Sequence, residues 1–159
     1  MSSLVYINIL ADSLQRKKSA LENILELTKE QQSLLKGDCF HDEEFKSIIE
    51  KKERFIRQLT ELDAGFETIY QKVKNELEAD RTKYKDDIVK MQHLIIEITD
   101  LSVEVQALEK QNKIQLEIMI ANRKDKLRSS KMSNQGVSSY YRNMANTFQT
   151  QSHYVDRKK

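Results

Sequence analysis

"DEEFKSIIEKKERFIRQLTELDAGFETIYQKVKNEL", residues 42 to 77, carries the clearest pattern in the chain. Phe45, Ile48, Phe55, Leu59, Leu62, Phe66, Ile69, Val73 and Leu77 succeed one another mostly at steps of three and four residues. At the helical repeat those steps put all nine on one narrow stripe. Such a stripe is suited to an antiparallel or coiled-coil partner helix. Asp42 stands where an N-cap belongs, and Glu43 and Glu44 follow in the first turn, where the helix dipole favours negative charge.

The same spacing continues on both sides. Upstream, Leu4, Ile7, Ala11, Leu14, Leu21, Ile24, Leu25, Thr28 and Leu35 line one side of a helix over 3–36, and Gly37 supplies a stop, since glycine accepts the left-handed conformation that closes helices. Downstream, "EADRTKYKDD" (78–87) contains neither Gly nor Pro, and the heptad series Tyr70, Leu77, Tyr84, Met91, Ile98, Val105 runs straight through it. That would allow one very long helix. Asp80 and Asp87, however, occupy the other seam position, where Phe66, Val73, Leu94, Leu101 and Leu108 are apolar, and two buried carboxylates would be costly. A turn within 79–85 is therefore expected, giving helices over about 3–36, 42–78 and 84–128.

The third helix has two apolar faces. Met91, Leu94, Ile95, Ile98, Leu101, Val105 and Leu108 form the main one, while Val89, Ile96, Val103, Ala107, Ile114, Ile118 and Ala121 lie nearly opposite. Two faces need two neighbours. The simpler reading has helices one and two flank the third, as in a bundle. The other leaves part of the second face, above all "IQLEIMIA" (114–121), for a partner, because exposed large aliphatic side chains are a liability unless something covers them.

With 159 residues, 38% hydrophobic and 33% charged residues, three Gly and no Pro, the chain fits one all-α domain. The expected fold is an antiparallel three-helix bundle, or long helical hairpin, over 1–128, with coiled-coil-like packing and a flexible C-terminal tail over 129–159. That tail is polar, basic and aromatic-bearing, with at most a short helix of its own. Residues 1–122 hold 18 Lys/Arg against 23 Asp/Glu, and residues 123–159 hold 9 against 2, so the net +2 hides an acidic body and a basic end. Bases after a helix C-terminus suit the macrodipole, and stacking on Tyr140, Tyr141 and Phe148 would suit a nucleic acid. The acidic body argues against that polymer. The lone Cys39 fits a reducing, cytoplasmic compartment. "LVYINILA" (4–11) is too short to span a bilayer, so no stable membrane insertion is expected.

Catalytic chemistry is not written here. His41, His93 and His153 are isolated, no metal-ligand spacing occurs, and there is no Gly-rich phosphate loop. Cys39 and His41 fall in an interhelical loop without a third, orienting group. The expectation is a protein that is not an enzyme and carries no cofactor.

"LENILELTKEQQSLLKGDCFHDEEFKSIIEKKERFIRQLTELD" (21–63) resembles the first half of FlgN-type flagellar export chaperones: a Leu-rich helix, a Gly-Asp interruption, then an amphipathic helix. "VQALEKQNKIQLEIMIANRKDKL" (105–127) is similar to that family's third helix, with Asn112 at its characteristic Asn and Gln115 where a second Asn is usual. The ending "HYVDRKK" is similar to the family's Tyr-x-Asp tail. FliT-type flagellar chaperones share the same small helical build. The resemblance implies a bacterial, cytoplasmic chaperone of the flagellar type III export system. It would hold hook-filament junction proteins before secretion through the third helix and the tail, and engage the export gate through the tail. The contact residues it points to are Asn112, Ile114, Leu116, Ile118, Met119 and Ile120, with Tyr140, Tyr141, Phe148 and Tyr154 in the tail. At most a weak homodimer is expected. The rival reading is a coiled-coil scaffold that self-associates through the helical seams and has no need of its tail.

Overall fold

The computed structural model describes residues 3–37, 41–122, 140, 142 and 144. Three long helices account for nearly all of these: α1 (Ser3–Lys36), α2 (Asp42–Ala79) and α3 (Lys85–Asn122). α1 ends as expected before Gly37, although no described glycine adopts a positive φ. The Gly37 N–H instead donates to Leu34 O at 3.4 Å, a tightened last turn that needs no left-handed residue. α2 starts one residue earlier than an N-cap at Asp42 requires. His41 is the N-cap, with no side-chain cap bond, and Asp42 joins Glu43 and Glu44 inside the first turn. There the three carboxylates act through the dipole and not as a cap.

The turn expected within 79–85 is present. Asp80 leaves helical geometry at φ −130 and ψ 60, residues 80–84 form turns, and α3 restarts at Lys85. Asp80 is exposed and Asp87 half-buried, so the break keeps both carboxylates off a buried seam. Tyr84, inside the turn, is buried and caps that end of the core.

Side-chain pairs set the directions. Lys17 meets Asp63, Gln31 meets Lys52, and Ser3 meets Glu76, so α2 runs antiparallel to α1. Lys18 meets Glu97 and Thr28 meets Glu109, so α3 runs parallel to α1. The result is an up-down-up bundle in which α1 packs closely on both others. α2 and α3 meet through long side chains, notably Lys52 with Glu109 and Phe45 with Leu116.

The main core holds Ile7, Leu10, Leu21, Ile24, Leu59, Ile98 and Val105, among others, and a smaller cluster at the open end holds Phe45, Ile49 and Leu116. Each expected stripe is centred correctly and is shifted at its margins. Phe55, Leu62, Ile69, Leu101 and Leu108 are half-buried, Leu4 is exposed, and Ile49 and Ile56 complete the face that α2 turns inward. Lys17 and Asp63 pair at 2.6 Å on the α1/α2 seam. Burial pushes the Lys17 ammonium below its ordinary value and the Asp63 carboxyl above its own, while their mutual attraction opposes both changes. A pair so costly to bury adds little stability, but a slip of α1 along α2 would strand both charges.

The second apolar face of α3 is not flanked by α1 and α2. Val89, Ile96, Val103, Ala107, Ile114, Ile118 and Ala121 are all exposed. Both other helices sit on the main face of α3, so the opposite face looks outward. Replacing wholly buried Leu59 by Ala should cost about 2–5 kcal/mol, whereas Ile96→Ala should change stability by less than about 0.5 kcal/mol. Urea denaturation of both variants checks this.

Candidate partner-binding site

α3 carries a buried polar layer on its inner side and an exposed apolar line on its outer side.

The polar layer forms because three helices bring polar residues to one level at core positions. Thr28 and Gln31 come from α1, Lys52 from α2, and Glu109 and Asn112 from α3, and all five are buried. Glu109 Oε1 accepts from the Lys52 ammonium and, at 3.0 Å, from the Thr28 hydroxyl. Lys52 also donates to Gln31 Oε1. The Thr28 hydroxyl lies 2.6 Å from Ile24 O, within its own helix, and Asn112 Nδ2 donates to Thr28 O at 3.0 Å. Burial pushes the Lys52 ammonium well below its ordinary value. Glu109 Oε2 has no hydrogen-bond partner among the described residues.

Tyr140 completes this layer from the far end of the chain. Its side chain is wholly buried, its hydroxyl donates to Glu109 Oε1, and Lys52 Nζ lies 4.5 Å from the centre of its ring. Tyr140, Arg142 and Met144 are helical, and Met144 is buried in the main core. Tyr140 therefore touches both Lys52 of α2 and Glu109 of α3. One aromatic face satisfies the cation while its hydroxyl satisfies the anion.

The outer line of α3 is of the opposite character. Val89, Ile96, Val103, Ile114 and Ile118 are 42%, 56%, 60%, 48% and 49% exposed. At roughly 100° per residue they fall within about 40° of a single line some 44 Å long. A line of that length on a helix is well beyond the scattered surface aliphatics of an ordinary monomer.

The expected contact residues divide between these two settings. Ile114 and Ile118 lie on the outer line, and Met119 and Ile120 are half-buried at the open end beside Leu34 and Leu35. Leu116 is buried against Phe45 and Ile49, and Asn112 is buried in the polar layer. Both therefore hold the bundle together and offer a partner no surface. Tyr140 is likewise spent on the core. Tyr141, Phe148 and Tyr154 lie outside the described residues. Lys52 and Glu109 went unnoticed in the sequence, although each stands on its helix's apolar stripe, Lys52 three and four residues before Phe55 and Ile56, and Glu109 four after Val105.

No group of His, Cys, Asp and Glu among the described residues could hold a metal ion, and no described helix is long and apolar enough to cross a membrane. Comparisons with protein-family models, curated proteins and solved structures found no match.

Lys52→Met should cost about 3–5 kcal/mol, because it strands the buried Glu109 carboxylate, and Lys52→Met with Glu109→Leu should recover most of that loss. Tyr140→Phe, which deletes one hydroxyl, should cost about 1 kcal/mol. Equilibrium denaturation reads all three. The pH dependence has a definite sign. A lysine whose folded value lies below the ordinary 10.5 releases its proton earlier in the folded state. Stability should thus rise with pH between that lowered value and 10.5, and Lys52→Met should lose this rise.

Proposed function

We propose that this protein is a cytoplasmic, non-enzymatic export chaperone of the bacterial flagellar type III system, holding hook-filament junction proteins until they are handed to the export gate. The observation that carries the reading is the exposed apolar line of α3, which ends in Ile114 and Ile118 beside half-buried Met119 and Ile120. An amphipathic helix of a client laid along this end would cover it by helix-in-groove packing. Release then needs no covalent step. The likeness of residues 21–63 and 105–127 to the FlgN type supports the same assignment, with FliT-type chaperones as its near relative in build.

The burial of Tyr140 and Met144 refines the part given to the tail. Tyr140 serves the chain's own core, so contacts from the tail fall to Tyr141, Phe148 and Tyr154.

The test is a pull-down from a lysate of motile, flagellated cells with the full chain and an Ile114→Glu/Ile118→Glu variant. Both positions are exposed, so the variant should keep its thermal stability. Hook-filament junction proteins should be retained by the full chain and reduced at least about tenfold by the variant, a loss of roughly 1.4 kcal/mol of binding. Their absence from both captures would overturn the proposal.

A further inference from the structure

The outer line of α3 has an internal symmetry that a foreign helix would not require. Reflection through the level of Val105 carries Val89 onto Ala121, Ile96 onto Ile114 and Val103 onto Ala107. All six residues are exposed. The same reflection carries Asp100, the polar interruption of the line, to the level of Lys110, a group of opposite charge. Ile118, which meets Gln92, is the apolar residue that does not find an apolar mate.

A two-fold interface demands this arrangement: residue i meets j, and j meets i. We infer that the outer face of α3 is a self-association surface on which a second copy packs antiparallel, with the dyad at the level of Val105. Next to the dyad, Val103 faces Ala107 of the second copy, and the small alanine lets the two helices approach closely. Ile96 against Ile114, on either side, forms the largest apolar layers. Asp100 lies almost on the apolar line itself, so Lys110 of the second copy reaches it from the flank, and the dyad makes this contact twice. A parallel pair would instead set Asp100 beside Asp100. Glu104 sits beside the dyad on one flank, near its own copy, which limits affinity and keeps the pair separable by a competing helix.

None of the described residues covers this face. α1 and α2 pack on the opposite side of α3, and Tyr140 sits in the polar layer on the inner side. The inference stands apart from the chaperone reading, and its test uses the purified full chain alone.

Sedimentation equilibrium should show a reversible dimer. Ile96→Glu, at a position 56% exposed, should give a monomer whose thermal midpoint matches that of the wild-type chain diluted until it is monomeric. Asp100→Lys alone and Lys110→Asp alone should each weaken the dimer by about tenfold, since each turns two attractions into two repulsions. The double reversal should return affinity to within about threefold of the original. A wild-type chain that stays monomeric, a dimer that survives Ile96→Glu, or a double reversal that fails to restore pairing would each overturn the inference.

Discussion

Lys52 is wholly buried, and a bundle that buries an ammonium must gather every compensating group at one level. That requirement fixes much of this molecule. The carboxylate of Glu109 has to come from α3, the amide of Gln31 and the hydroxyl of Thr28 from α1, and the ring and hydroxyl of Tyr140 from beyond α3. Apolar packing alone would tolerate a slip of one helix by a turn. The polar layer does not, since any slip would leave a charge in a low-dielectric interior without its partners. The Lys17–Asp63 pair repeats the constraint nearer the turn. Between these two levels lie Leu21, Ile24, Ile56, Leu59 and Ile98, the driest stretch of the core.

With the register fixed, the outer side of α3 is left over. Its apolar line costs solubility and adds nothing to the fold, which is the profile of a surface kept for association. Two occupants are compatible with one surface when they take turns. A second copy can cover the line while no client is present, and a client helix can displace it from the open end, where Ile114 and Ile118 lie. Exchange of this kind needs only comparable affinities, which is what the proposed carrier role would require.

The three helices and the turn at residues 80–84 could be read from the sequence because periodicity reports which face is apolar, and Asp80 and Asp87 were placed where a continuous helix could not bury them. The same pattern showed that α3 has two apolar faces, yet not which neighbours each would find. That depends on where α1 lies, and short connections leave this open. The polar layer was illegible for a different reason. Lys52, Asp63, Glu109 and Asn112 occupy core positions, but a charged residue on a stripe looks like a gap until its partners, 21 to 84 residues away along the chain, are brought beside it. Tyr140 reads as an aromatic in a polar tail, and its role as a core residue depends on Lys52 and Glu109, which no local pattern brings beside it.

In the function proposed here, the outer face of α3, towards its C-terminal end, receives a helix of a hook-filament junction protein. Amide hydrogen exchange of the full chain, with and without such a protein in excess, tests it most directly. The account predicts slower exchange along residues 110–122 with little change around Leu21, Leu59 and Ile98, whose burial is complete before any partner arrives. Exchange that is unaltered along α3 while the junction protein is bound would contradict it.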